Sequence, residues 1–411
     1  MAILWGIKQA LHNCIAKGSL HEALMLLTGT GGLTGRSFKP TGLAPQKVAE
    51  VDNSNPTRDT YQRKVFYDGV NFFIVYSSEP TDVTKSLVNY TASSDAITWA
   101  TPVTLWTYSI IPPYYGGNID IQYPNRGAKD AAGKSYHLSI VFSGYNGTLW
   151  RWYAVTISGQ TLTKLSGSAL GLGVGGIAWQ GGSIVANLLG TYDIWVAHRG
   201  DRLEFGYRST EGATSTDIPY GGTTTGGAQI LSYETSSPFN LFVLAKGSDD
   251  KLYYNLVDPS GTPSGNSFVE IATLGTGFSD FCGCSEAQNV GDPERVHLVY
   301  IKSTGELCYR KFENDAFGSE RVLVTSGASY PVIAAGTAHR LYVFYVKDGK
   351  IYVIHYMGAW LNPVELFTAD HTYNAPAYLS TNQYVQNGKI CLVWTEGTAS
   401  PYEVWFCYLE D

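Results

Sequence analysis

RLYVFYVKDGKIYVIHYM, residues Arg340 to Met357, decides the fold. An apolar run, Leu341 to Val346, meets the tight-turn sequence Lys347-Asp-Gly-Lys350, and an aromatic-rich run, Ile351 to Tyr356, follows. Strand-forming residues on either side of a short Asp-Gly turn predict a β-hairpin. The same plan recurs at Tyr136–Val155, Tyr192–Ser209, Asn240–Val257 and Arg295–Phe312, and twice more with longer turns at Asn71–Ser93 and Lys389–Glu410. Seven hairpins therefore repeat at intervals of roughly 45 to 65 residues, the period of a four-stranded blade.

Each hairpin needs two further strands. An apolar segment precedes every copy, beginning at Val65, Asn118, Ser183, Gln229, Asp280, Tyr330 and Ala377, and supplies an inner strand. Outer strands follow, as at Thr98–Leu105, Ser267–Thr273 and Arg321–Thr325. The pattern predicts an all-β chain, a β-propeller of seven four-stranded blades, with a short helical N-terminal appendage. The last hairpin ends at Asp411 with no outer strand behind it. A strand within residues 36–51 is the expected donor, since an open sheet edge invites mispairing. The expected division is a helical arm over residues 1–35 and a propeller over 36–411. In the arm, Trp5, Ile7, Ala10, Leu11 and Ile15, then Leu20, Ala23, Leu24 and Leu27, form apolar faces at helical spacing. Those faces point to a homo-oligomer, or to attachment to another surface protein.

Composition narrows the function. Only 15% of the 411 residues are charged, against roughly 25% in an average domain. Net charge is −7 and no basic run occurs, which argues against nucleic acid as a partner. The apolar stretches are strand-sized, so no membrane insertion is expected, and no secretory signal is legible. Six cysteines, Cys14, Cys282, Cys284, Cys308, Cys391 and Cys407, lack metal-site spacing and read as small core residues. No cofactor fingerprint and no convergent set of metal ligands is present, so neither cofactor nor metal is expected.

One turn carries a family likeness. Ser93-Ser-Asp95-Ala-Ile-Thr98-Trp99 resembles the Asp-box, Ser-x-Asp-x-Gly-x-Thr-Trp, of sialidase-like and BNR-repeat propellers, although it is one residue short and lacks the glycine. The resemblance implies that Ser93 and Asp95 close the turn through backbone amides and that Trp99 packs between blades. It extends at the level of architecture over residues 61–411. A sialidase of that family grips a carboxylate with three arginines, the first in an early Arg-Ile-Pro-like motif. The nearest counterpart, Phe38-Lys39-Pro40, has no arginine.

Two functional classes follow. If the chain is a glycoside hydrolase of sialidase-like or arabinanase-like type, it needs paired carboxylates across a central pocket. Asp68, Asp120 and Glu234 are the candidates, with Glu286 a fourth inner-strand carboxylate. The reading favoured here is a non-enzymatic recognition protein that binds glycans through exposed aromatics, since flat rings stack on sugars. Tyr114 and Tyr115, in the Tyr-rich insertion 106–123, and Trp179, in a glycine-rich run, are the ligand-binding candidates. High Tyr and Gly with low charge suit display on a virion or extracellular surface.

Overall fold

The computed structural model describes residues 41–411 apart from 53, 55, 79–84, 110–118, 124–136, 144–149, 166–169, 173–178, 187–192, 200–201, 210–211, 220–226, 235–239, 259–267, 277–279, 289–290 and 368–370. The helical arm expected over 1–35, with Cys14, lies outside the described residues, as do Tyr114 and Tyr115.

The described regular structure is strand, broken by one 3-10 turn at Thr337–His339. It forms seven antiparallel sheets. The decisive hairpin shows how each is made. Leu341–Lys347 and Lys350–Tyr356 pair in register, Lys347 opposite Lys350. Asp348 (φ 51°) and Gly349 (φ 72°) bridge them, both in the left-handed region, which is the turn whose twist matches that of the flanking strands. Ser329–Ala335 adds the inner strand and Val364–Glu365 the outer one.

The other inner strands are Val65–Tyr67, Ile119–Gln122, Trp179–Ala186, Ala228–Ser232, Phe281–Ser285 and Ala377–Thr381. Each sheet packs on the next around a circle, and the seventh meets the first. The core lies between sheets. Phe66, Phe73 and Val75 interlock with Ile119, Ile121 and Ile140, and Val65, Ile74 and Tyr76 with Cys391, Val393 and Phe406 across the closing contact. Cys282 and Cys284 share one buried cluster and form no disulfide.

The seventh sheet is built from distant segments. Gly42–Val51 pairs antiparallel with Tyr402–Glu410, from Gly42 opposite Leu409 to Val51 opposite Tyr402. Lys47 Nζ donates to Glu403 Oε1 (3.0 Å) along this seam.

From there the chain turns inward, and residues 56–64 fill the axis of the circle. No sequence pattern marks this segment, yet Thr57, Thr60, Gln62 and Lys64 have no solvent exposure. Polar groups are buried at such cost only where partners await them. Those partners are largely inner-strand carbonyls, because the axial edge of each sheet has no neighbouring strand to satisfy it. Thr57 Oγ1 donates to the Tyr378 carbonyl (2.8 Å), Thr60 Oγ1 to that of Phe281 (2.9 Å), Gln62 Nε2 to that of Gly182 (2.6 Å) and Lys64 Nζ to that of Ile119 (2.7 Å). Ser380 Oγ and Gln383 Nε2 donate back to the Gln62 and Tyr61 carbonyls. Tyr61 stacks on Phe281 at 5.0 Å and lies against Gly227 so closely that an added Cβ there would sit 2.1 Å from its ring. Burial pushes the Lys64 ammonium down to about 8. The central channel is plugged.

Candidate functional site

A cavity of about 230 Å³ opens above the plug, where the inner strands end. Gln122, Ser232 and Ser285 are the last residues of their strands, so the alternation of each strand delivers one polar side chain to this mouth. The loop after the final inner strand delivers more. Its sequence Asn382-Gln-Tyr-Val-Gln-Asn387 lines the cavity throughout and carries four side-chain amides. Asn387 (φ 48°) and Gly388 (φ 76°) make another tight left-handed turn, closed by reciprocal Gln386 and Lys389 backbone bonds of 3.1 and 3.0 Å. Tyr67 and Tyr123 stand on the wall, stacked on Phe72 (4.3 Å) and Phe66 (4.7 Å).

Among the described residues Arg63 is the cavity's one charged lining residue. Its backbone N–H and Nε donate to Asp120 Oδ1 (2.6 and 3.1 Å), Nη2 to Asp120 Oδ2 (2.8 Å) and Nη1 to Gln122 Oε1 (2.6 Å). Nη2 also donates to the Ile184 carbonyl, and Ile184 N–H returns a bond to Asp120 Oδ2 (2.8 Å). Asp120 has no solvent exposure.

Each carboxylate singled out as a hydrolytic candidate is held by partners of its own. Asp120 lies beneath the cavity, bound to Arg63. Asp68 closes its own turn, accepting from Val70 N–H (2.8 Å) and Asn71 N–H (2.6 Å). Glu234 accepts from Asn240 N–H (3.1 Å) and Nδ2 (2.9 Å). Glu286 is hydrogen-bonded to His297 Nε2 (2.7 Å) and His339 Nδ1 (2.5 Å). Burial pushes its carboxyl up, but the two imidazoles outweigh it and hold the group at about 2. Among the described residues no cluster of three or more His, Cys, Asp or Glu could hold a metal.

The Ser93–Trp99 turn lies far from this chemistry. Asp95 Oδ1 accepts from Ile97 N–H (2.8 Å), Thr98 N–H (2.7 Å) and Ser93 Oγ (2.8 Å), and the two amides lead in lowering its carboxyl to about 2. Ala96 takes φ 62°, a conformation that favours the glycine this turn lacks. Trp99 meets Phe406 of the seventh sheet edge-on at 5.1 Å, so it bridges two sheets. Trp179 begins an inner strand.

Residues 56–64 and the amide loop were not singled out from sequence as site residues. The loop carried a signal, four amides in six residues straight after a strand. The plug carried none, since an internal polar ligature looks like any hydrophilic linker.

No protein-family model matches the chain, and no curated protein does. Solved structures do. A lectin from Burkholderia pseudomallei, BP39L, aligns over 84% of this chain and 96% of its own with a TM-score of 0.59 and 14% identity. The WD40 domain of Toxoplasma gondii coronin aligns over 91% and 88%, with a TM-score of 0.50 and 12% identity. A mutant Trypanosoma rangeli sialidase displaying trans-sialidase activity aligns over 92% of this chain and 60% of its own, with a TM-score of 0.46 and 12% identity. The circle of antiparallel sheets and the first two likenesses define an all-β propeller; identities this low define nothing beyond the fold.

Proposed function

We propose that this protein is a non-enzymatic carbohydrate-binding propeller, that its seven sheets are the seven blades of one closed disc, and that the axial cavity is its binding site. The observation that carries the reading is the plugged axis. Catalysis by paired carboxylates needs an acid and a base facing one substrate, whereas here Asp120 is neutralised under the floor and Asp68 and Glu234 serve local turns. Beside Arg63 and the apolar Val185, Ile230, Leu231 and Val385, what faces the cavity is amide, hydroxyl and tyrosine, the chemistry of a site that holds hydroxyl groups. The likeness to a bacterial lectin supports the same reading. The Ser93–Trp99 turn, in this view, is an Asp-box kept for its structural work. Display on a virion or cell surface, supported by high Tyr and Gly with low charge, and self-association through residues 1–35, supported by the apolar spacing of that arm, complete the proposal.

A glycan array run beside a hydrolysis screen on the same glycans tests the central claim. Retention without turnover is expected. Turnover that disappears in Asp68→Asn or Asp120→Asn would make the protein a hydrolase.

A further inference from the structure

We propose that the axial cavity takes a single uncharged sugar ring and discriminates against acidic sugars, an inference that rests on the carbohydrate-binding reading and names the ligand class of that same site. The argument begins with Arg63. Four of its five N–H donors are already engaged, by Asp120, Gln122 and the Ile184 carbonyl. Its charge is balanced by a carboxylate held in bidentate contact beneath it, so no fork remains to grip an incoming carboxylate. Among the described residues no other cation lines the cavity. An acidic sugar would shed its hydration there and gain no opposite charge, which is a net cost.

The remaining polar groups suit hydroxyls. Gln122 uses its carbonyl oxygen on Arg63, and Gln386 uses its own on Tyr67 N–H (2.8 Å) and Asn382 Nδ2 (3.3 Å). Both therefore have their NH₂ groups left to donate. Gln288 donates to the Ser285 carbonyl (3.0 Å) and Gln383 to that of Tyr61 (2.9 Å), which leaves both side-chain oxygens to accept. A site with fixed donors and fixed acceptors, all uncharged, complements a ligand whose groups each do both, as sugar hydroxyls do. Size sets the length. About 230 Å³ is below the roughly 300–1,000 Å³ of pockets that enclose drug-sized ligands, so the cavity encloses one pyranose, and further residues of a chain would lie outside its mouth. The cavity lies on the axis, so each molecule has one such site.

The test is isothermal titration of the full chain with a fixed panel. Neutral methyl glycosides of galactose, mannose, glucose and fucose and free N-acetylglucosamine are set against N-acetylneuraminic and glucuronic acids. At least one neutral sugar should bind with a stoichiometry of one, and both acids at least tenfold more weakly. Ser232→Phe, which fills the cavity, should lower that affinity at least tenfold while the melting temperature stays within a few degrees. Gln288→Trp, after the inner strand of the neighbouring sheet, serves the same purpose if Ser232→Phe fails to fold. Equal or tighter binding of the acids overturns the discrimination and leaves the carbohydrate reading standing. Neutral binding at several sites, untouched by either variant, removes the ligand from the axis and also leaves that reading standing. Silence across the panel, with a blank glycan array, overturns both.

Discussion

Arg63 shows how a single residue takes its role from partners that only the fold supplies. Its hydrogen bonds tie the axial segment 56–64 to the second and third sheets through Asp120 and Ile184. Residue identity is legible from sequence; the partner that neutralises it is not, because Asp120 is 57 positions away. His355 makes the same point with a measurable consequence. It is buried and stacks on Tyr342 at 4.4 Å. Burial, with a smaller push from Arg340 and a weak opposing pull from Asp411, lowers its pKa from 6.5 to about 4. A folded-state pKa below the unfolded one means that the unfolded chain takes up the proton first. Stability should hold above pH 6.5 and fall as pH drops towards 4, by up to about 3 kcal/mol from this residue. His355→Phe keeps a ring in place and should flatten that part of the profile. Urea unfolding at a series of pH values reads the effect, and an unchanged slope in the variant would refute it.

At the scale of elements, the hairpins were readable because each carries its own instructions. Apolar runs and left-handed turn residues sit within 20 positions of one another, so Arg340–Met357 specifies its pairing without reference to the remainder of the chain. The plug is the opposite case. Its hydrogen bonds go to carbonyls of sheets far along the sequence, and no local pattern encodes them. Two glycines separate these kinds of order. Gly349 has φ 72° and open space around it, so Gly349→Ala should cost only the local strain of the left-handed turn, about 1–2 kcal/mol. Gly227 has no such strain, but an added Cβ would strike Tyr61 and push the plug aside, at about 1–3 kcal/mol. Sugar binding distinguishes them: Gly227→Ala should weaken it by shifting the cavity floor, while Gly349→Ala should leave it unchanged. Equal effects on binding would mean that the plug does not support the site.

For the whole molecule, the seam between Gly42–Val51 and Tyr402–Glu410 governs integrity. Removing residues 1–35 should leave the unfolding midpoint unchanged and, if the arm mediates association, reduce the mass measured by light scattering to that of one chain. Removing residues 1–51 should uncover the long edge Tyr402–Glu410, which carries Trp405, Phe406 and Tyr408, and drive aggregation. A soluble, cooperatively unfolding protein after the longer deletion would show that the seam is dispensable. The need for a closing strand was visible in sequence, because the last hairpin lacked one. The binding mouth was not, because it is assembled from single residues at the ends of separate strands, and only the fold brings Gln122, Ser232 and Asn387 to one place.

That seam also sets an order in time. Lys47 and its partner Glu403 are 356 positions apart. At ribosomal speeds of roughly 5–20 residues per second, about 20–70 s separate their emergence. Throughout that interval the early strand has no mate, the axial plug gains the carbonyls that hold it one sheet at a time, and the growing arc of sheets presents a bare flank. The nascent chain is therefore at its most vulnerable until the hairpin Lys389–Glu410 emerges, and a ribosome stalled within that hairpin would release a polypeptide whose sheets are nearly all made and whose circle is open.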